Sequence, residues 1–123
     1  MWWKKKSREK QYTLAAEQIQ PLAEGHGGCI ASDMITVDGR KVAFMYRDPP
    51  SYDEDSGWVF LSGQESDRYM SNPDNHGVCE VNTIANYDPE IVPFLGQPVG
   101  SAFERENGDG PFKVVEDFQS IDE

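Results

Sequence analysis

The two histidines and two cysteines of the chain occur in a pair of tetrapeptides with the same spacing. They are HGGC, with His26 and Cys29, and HGVC, with His76 and Cys79. Two imidazoles and two thiolates can hold zinc tetrahedrally, and a two-residue gap suits neighbouring ligands on a turn. Free cysteine is also a common small core residue, and glycine-containing loops tolerate histidine. We favour this second interpretation and expect no metal, no cofactor and, in a reducing compartment, no disulfide.

Acidic and aromatic side chains gather on both sides of the apolar run from Trp58 to Leu61 and suggest either a catalytic or a binding site. Catalysis would need titratable groups held within hydrogen-bond reach of one another. The chain has no glycine-rich phosphate loop, no Gly-x-Ser-x-Gly elbow and no His-Glu-x-x-His helix, and its acidic run lacks the calcium-loop pattern. We therefore predict no catalytic residues and no enzyme. The partner-binding candidates are Tyr52, Asp53, Glu54, Asp55, Glu65, Asp67 and Tyr69.

Charge is distributed unevenly along the chain. Residues 1–10 hold five of the 11 basic residues, whereas residues 11–123 hold 6 basic and 21 acidic residues, a net charge of −15. Such a field repels nucleic acid and anionic lipid and speeds encounter with a basic protein. Solubility alone is the competing explanation. We interpret residues 1–10 as a flexible basic tail.

The N-terminus also bears on location. The opening Met-Trp-Trp is followed at once by three lysines, with no apolar stretch of signal-peptide length behind them. We therefore expect a cytoplasmic protein.

Apolar residues near the N-terminus recur at helical spacing, from Tyr12 through Ile19 to Ala23. This pattern predicts a helix over residues 8–23, with Pro21 disturbing its last turn. We expect the apolar face of this helix to pack against a β-sheet.

Two runs rich in β-forming residues flank the dipeptide Asp38-Gly39. The dipeptide is a strong hairpin signal, because a type I′ turn needs positive φ at both central residues. We predict strands near residues 29–37 and 41–47, joined by this turn.

The run from Trp58 to Leu61 places four large apolar side chains in succession. Such a run is typical of a strand that is buried on both faces in the middle of a sheet. Ser62 then fits the N-cap of a short helix over residues 65–70, with Glu65 at the third position of a capping box. On this interpretation Ser62 and Glu65 are structural.

Short elements follow in the last third of the chain. We predict a strand over residues 78–82 and a helix that begins at Asp88-Pro89, where an N-cap precedes proline. Strands near residues 99–105 and 112–118 flank a glycine-rich turn. The whole chain is expected to form a single α+β domain, in which a mostly antiparallel sheet packs with an N-terminal helix and short helices.

Four segments of the chain resemble, in the same order, the sequence motifs of one bacterial family. They are SDMITVDGRKVAFMYRDPP, DSGWVFLSGQESDRYM, NTIANYDPEIVPFL and VGSAFER. Over residues 29–105 the chain resembles immunity protein family 33 of polymorphic toxin systems, formerly domain of unknown function 2185. The resemblance implies an antidote that binds a toxin delivered by a neighbouring cell, and it brings no catalytic role. The residues that match the family's motifs, which we expect to be structural, are Asp55, Ser56, Gly57, Trp58, Gly63, Glu65, Asn82, Thr83, Asp88 and Pro89.

The resemblance implies a cognate toxin as the partner, and the acidic charge of the chain suggests that this toxin presents a basic face. No binding to nucleic acid or to a membrane is expected. A small cytoplasmic interaction or regulatory module of unrelated purpose is the alternative that the sequence leaves open.

Overall fold

A six-stranded sheet is the framework of the computed structural model, which describes residues 10–119. The strands are β1 (Gly28–Ser32), β2 (Phe44–Arg47), β3 (Asp55–Leu61), β4 (His76–Glu80), β5 (Ala102–Glu106) and β6 (Asp109–Val114). Their order in the sheet is β4-β1-β3-β2-β5-β6, with β1 and β3 parallel and the other neighbours antiparallel. The predicted α+β class and mostly antiparallel sheet are confirmed.

The helices of the described residues are short. The α-helices are α1 (Asp33–Thr36), α2 (Asp67–Met70) and α3 (Val81–Tyr87), and 3₁₀ turns lie at Ala16–Gln18, Pro73–Asn75 and Pro89–Phe94. Both α1 and α3 pack against β1. No helix between residues 10 and 119 combines the length and the apolar character that a membrane crossing requires.

The central strand β3 lies between β1 and β2, as the run of apolar residues predicts. Trp58 and Phe60 point to the helix-covered face of the sheet, where their rings stack with centroids 6.0 Å apart and are almost fully buried. The indole Nε1 of Trp58 donates to the carbonyl oxygen of Leu95 at 3.2 Å, so its polar atom is satisfied. Val59 and Leu61 on the other face are also buried. The predicted burial on both faces is therefore confirmed.

A buried ion pair joins the segment after α3 to β5. The side chains of Asp88 and Arg105 form a salt bridge in the interior, and the backbone N–H of Val42 donates to Asp88 Oδ2 at 2.9 Å. Arg105 also hydrogen-bonds to the exposed carboxylate of Glu90 and holds the pKa of that group below its ordinary value. Asp88 accepts from the Glu90 N–H and so caps Pro89–Phe94. The predicted helix start at Asp88-Pro89 is confirmed, although the element is a 3₁₀ helix.

The predicted helix over residues 8–23 is wrong within the described part of the chain, which forms only the 3₁₀ turn Ala16–Gln18 there. Backbone N–H groups of this stretch bond to a distant side chain instead. The N–H groups of Leu22 and Ala23 both donate to Asn82 Oδ1, at 2.8 and 2.7 Å. Helical spacing could not reveal this, because the acceptor lies about 60 residues away along the chain.

Of the predicted basic tail, residues 1–9 lie outside the described residues. The last tail residue, Lys10, is paired. Its Nζ lies 3.0 Å from Asp33 Oδ1 and donates to the carbonyl oxygen of His76 at 3.3 Å. The prediction of a flexible tail stays a prediction.

The predicted hairpin at Asp38-Gly39 is wrong, because this dipeptide ends a helix. Ser32 Oγ accepts from the Met34 N–H at 3.1 Å and caps α1. Gly39 has a φ of 78° and donates to the carbonyl oxygen of Ile35 at 2.9 Å. Strand β1 then pairs with β3 and β4 rather than with β2.

A two-residue hairpin turn occurs instead at Asn107-Gly108. Both residues have positive φ, 51° and 78°, as a type I′ turn requires. They join β5 to β6, with Glu106 opposite Asp109. The glycine-rich connection is therefore confirmed, but β6 begins and ends earlier than the predicted strand over residues 112–118.

Two further boundaries differ from those predicted. The strand predicted over residues 78–82 stops at Glu80, and α3 begins at Val81. The helix forms there because it buries one apolar face, which consists of Val81, Ile84 and Ala85. Helix α2 is capped by Ser66, whose Oγ accepts from the Tyr69 N–H at 3.1 Å. The cap predicted at Ser62 is therefore wrong.

Candidate functional site

A row of mostly apolar side chains crosses the sheet on the face opposite to Trp58. We call this side of the sheet the open face. Exposure falls steeply along this row, from 72% at Val78 to 44% at Ile30 and 8% at Val59. Apolar surface is therefore open to solvent on β4 and β1. The row pairs in register across five strands and consists of Val78, Ile30, Val59, Tyr46 and Ala102.

The C-terminal segment covers the other half of the open face. The ring of Phe118 packs on Phe44 and Tyr46, with centroid distances of 5.5 and 4.9 Å. Nothing comparable lies over Ile30 and Val78 among residues 10–119, as their exposure shows. Strand β4 is also an edge strand, so its outer backbone groups pair with no other described strand.

The acidic loop before β3 is held by its last residue. Asp55 Oδ2 accepts from the Ser51 N–H at 2.8 Å, and Oδ1 accepts from the Gly57 N–H at 2.9 Å. Asp55 is thereby occupied within the loop. The neighbouring side chains of Asp53 and Glu54 are exposed. They are the two acids of this loop that a partner can reach.

Tyr52 lies at the same end of the open face. Its Oη lies 3.0 Å from the position that a Cβ on Gly28 would take, and Gly28 is two positions before Ile30 on β1. About half of the Tyr52 surface is exposed. Strand β4 adds Glu80, which is paired in register with Gly28 and exposed. The sequence reasoning missed Glu80, although it stands two positions from Val78 and so shares its face.

The turn after β3 is held by Glu65. Its carboxylate accepts from the backbone N–H groups of Ser62 at 2.8 Å and Gly63 at 3.0 Å. Burial raises the pKa of Glu65, but hydrogen bonds from Ser32, from Ser62 and from its own backbone amide outweigh it, so the pKa lies below its ordinary value. Glu65 is therefore a structural brace, whereas Asp67, two positions on, is exposed.

Tyr69 is half-buried and lies beside His76, the first residue of β4. Its ring meets the His76 ring edge to face, with centroids 5.9 Å apart, and its hydroxyl donates to the carbonyl oxygen of Asn75 at 3.5 Å. These contacts fix α2 against the start of β4. Tyr69 is thus less available to a partner than Tyr52.

The structure divides the predicted partner-binding residues between two ends of the sheet. Asp53 and Glu54 precede β3 and Asp67 follows it, and a seven-residue strand is about 20 Å long. The predicted set is therefore not a single cluster. The exposed apolar pair Ile30 and Val78 lies on β1, which neighbours β3, and on the edge strand β4 next to it, between these two acidic ends.

The family-motif residues around Trp58 stabilise the start of β3. Ser56 Oγ donates to the carbonyl oxygen of Gly28 at 2.6 Å and accepts from the Trp58 N–H at 3.1 Å. Gly57 has a φ of 86° and lies against the carbonyl oxygen of Asp48, where a side chain would collide with it. Gly63, in the turn after β3, has a φ of 88°.

The second family motif anchors other segments onto α3. Asn82 binds the backbone of residues 22 and 23, and its Nδ2 donates to the carbonyl oxygen of Gln20 at 2.9 Å. Thr83 lines a cavity beside β4, and Asp88 and Pro89 begin the 3₁₀ helix described above. Asn82 and Asp88 thus make hydrogen bonds that hold the fold together.

The two His-Gly-x-Cys motifs meet only through their cysteines. Cys29 and Cys79 are paired in register, with the two Sγ atoms 3.8 Å apart. His76 packs on Tyr69 and lies 3.4 Å from the carbonyl oxygen of Met70 through Nε2, and His26 lies in the exposed loop before β1. In the described stretch, no three His, Cys, Asp or Glu side chains converge as metal ligands would.

Comparison with known proteins assigns most of the chain to one family. The family described as the Immunity protein Imm33 domain matches residues 29–116 of the 123-residue chain. The resemblance inferred over residues 29–105 is thereby confirmed and extended. No curated protein and no solved structure matches the chain.

Proposed function

The chain belongs to the immunity protein Imm33 family, and on this premise we propose that it neutralises a cognate bacterial toxin by binding it, without catalysis of its own. We further propose that it acts in the cytoplasm. The single observation that supports a contact surface is the exposed end of the apolar row, Ile30 and Val78. Contiguous apolar surface rimmed by polar groups marks many protein interaction sites.

We place the polar rim of this contact at the two ends of the open face. Asp53, Glu54 and Glu80 lie at one end and Asp67 at the other, and all four are exposed. We propose that a partner spanning these acids presents a basic face to them. Opposite charges across an interface favour association, whereas an acidic partner face would cost several kcal/mol in repulsion. Tyr52 supplies an aromatic contact at the first end, and tyrosine is common among the residues that dominate binding energy.

The first test asks whether the chain protects against a toxin. A toxin domain from a gene adjacent to the one for this chain would be expressed in a sensitive host with and without this chain, and growth would be measured. Rescue of growth, together with direct binding of a catalytically inactivated toxin, is the expected result. Binding without rescue would instead favour an interaction module of another purpose.

The second test asks whether the open face makes the contact. Val78→Lys should abolish toxin binding and growth rescue, because it puts a flexible charge into the apolar centre of the contact. Val114→Lys is the matched control, since Val114 is a valine of similar exposure on the opposite edge strand, β6. Equal loss of binding in both variants would place the contact elsewhere.

The third test asks whether the acidic ends steer the toxin. Reversing Asp53, Glu54 and Asp67 to lysine should slow association at low salt by about 10-fold and flatten its dependence on ionic strength. A control triple with the same change in net charge uses the exposed Glu17, Glu24 and Asp38. If both triples slow association equally, net charge alone is responsible and the rim assignment fails.

A further inference from the structure

The facing cysteines of β1 and β4 have no part in toxin binding as proposed, yet they are arranged for a reaction with each other. Cys29 and Cys79 are directly opposite in the antiparallel pair, and their Sγ atoms lie 3.8 Å apart. Opposite residues of antiparallel strands have Cα atoms about 4.5–5.5 Å apart, which lies within the range of about 4.4–6.8 Å found in disulfides. Side-chain rotation alone can therefore bring the two sulfurs into bonding distance.

The two sulfurs differ in their access to solvent. Cys29 is only 1% exposed, whereas Cys79 is half-buried and forms part of the wall of a cavity of about 350 Å³ between the N-terminal segment, β4 and α3. That cavity is lined largely by apolar groups, including Leu14, Ile19 and Ala31. A small uncharged molecule can thus reach Cys79 but not Cys29.

The thiols also differ in acidity. The hydrogen bond between them raises the pKa of Cys29, which burial raises further, and the same bond lowers the pKa of Cys79. A thiolate is the reactive form of cysteine, so the accessible sulfur is also the one that more readily reaches its reactive form.

We propose that Cys79 is an oxidation site for small hydroperoxides and that Cys29 resolves the product as an intramolecular disulfide. In the first step the Cys79 thiolate attacks the peroxide, which forms the Cys79 sulfenic acid and releases hydroxide. In the second step the Cys29 thiol displaces water from that sulfenic acid and forms the S–S bond. Two thiols and one hydrogen peroxide therefore give one disulfide and two waters.

The disulfide ties the edge strand β4 to β1 across 50 residues of chain. Such a bond restricts the unfolded chain and stabilises the fold. In a reducing compartment it is transient, because small thiols reverse it by exchange. The oxidised protein thus holds the strand that bears Val78 more firmly than the reduced protein does.

The test treats the reduced full-length chain with hydrogen peroxide and follows intact mass and free thiols. We expect the monomer to lose two hydrogen atoms and both thiols, with recovery of both on addition of dithiothreitol. In Cys29→Ala, dimedone should trap a sulfenic acid at Cys79, whereas in Cys79→Ala the buried Cys29 should stay reduced.

The variants also need to be folded, and circular dichroism with thermal unfolding checks this. Because Cys29 is buried, Cys29→Ser serves as a second variant without the resolving thiol if Cys29→Ala unfolds. Two free thiols that persist in peroxide-treated wild type would overturn the proposal. So would a disulfide that forms only between two molecules, or faster oxidation of Cys29 than of Cys79.

Discussion

Along β1, alternate residues meet opposite environments. Cys29 and Ala31 are buried under α3 and the N-terminal segment, whereas Ile30, between them on the open face, is substantially exposed. The covered face encloses apolar groups together with satisfied polar ones, such as the Asp88–Arg105 pair. The exposed end of the open face presents apolar groups to water without a covering element among residues 10–119.

The difference between the faces separates residues that hold the fold together from residues available to a partner. Removing a group from the covered face leaves a cavity or an unpaired charge, so the cost appears as free energy of unfolding. Removing an exposed apolar group changes the folded and unfolded chains almost equally. The cost there should appear only when a partner binds.

The largest expected effect is that of Asp88→Ala on the covered face. The change leaves the buried Arg105 without its interior partner and removes the acceptor for the Val42 N–H. We expect the free energy of unfolding to fall by about 5 kcal/mol, the upper end for a broken buried ion pair, in urea titrations. Glu90→Ala removes the exposed partner of the same arginine and should cost far less, because solvent screens that pair. Similar losses in the two variants would show that burial of this pair is not the cause.

Trp58→Ala is expected to have the next largest effect. It leaves a cavity beside Phe60 and frees the carbonyl oxygen of Leu95, and we expect a loss of about 3–5 kcal/mol in the same titration. Tyr52→Ala, an aromatic truncation at an exposed position, should change stability by about 0.5 kcal/mol. Wild-type stability of the Trp58 variant would mean that Trp58 does not lie in the core.

Glu65 should give a smaller effect that depends on pH. Its pKa in the folded protein is below the ordinary value of 4.5, so its contribution to stability is present above that value and is lost as the pH falls through the folded pKa. Glu65→Gln should cost about 1 kcal/mol at neutral pH, because the carboxylate is half-exposed and its hydrogen bonds are screened. The wild type and the variant should converge in acid. A difference that persists at low pH would show that charge is not the cause.

The smallest effect is expected at the exposed end of the apolar row. Val78→Ser should change the free energy of unfolding by about 0.5 kcal/mol or less. Val59→Ser, in the same row but buried in β3, should cost about 2 kcal/mol or more, because it places a hydroxyl in an apolar setting. Equal costs would mean that the row is covered along its whole length, and the distinction between the two parts of the open face would fail.

The sequence predicted those elements whose signals are local. Four apolar residues in succession identified β3, and an aspartate before proline identified the start of the 3₁₀ helix at Pro89. The hairpin prediction at Asp38-Gly39 was wrong because a glycine with positive φ suits the end of a helix as well as a hairpin turn. The prediction of an N-terminal helix was wrong because the backbone N–H groups of Leu22 and Ala23 bond to the side chain of Asn82, which is far away in the sequence.

The candidate site was harder to predict, since it depends on how the strands are arranged. The acids before and after β3 are close in sequence, but the strand between them separates them by its own length. The exposure of Val78 follows from the position of β4 at the edge, and no local pattern reveals that position. The alternation of Val78 and Glu80 around Cys79 was the one available signal of a shared face.

The contacts of Asn82 with residues 20–23 also bear on the order in which the molecule folds. The donors and the acceptor are about 60 residues apart in the chain, so these hydrogen bonds close a long loop and can form only after α3 exists. The N-terminal segment should therefore dock late, after the transition state, and should leave first when the native protein opens locally. Its amide hydrogens at Leu22 and Ala23 would then exchange with deuterium sooner than those of β3, and each such opening would uncover the cavity beside Cys79.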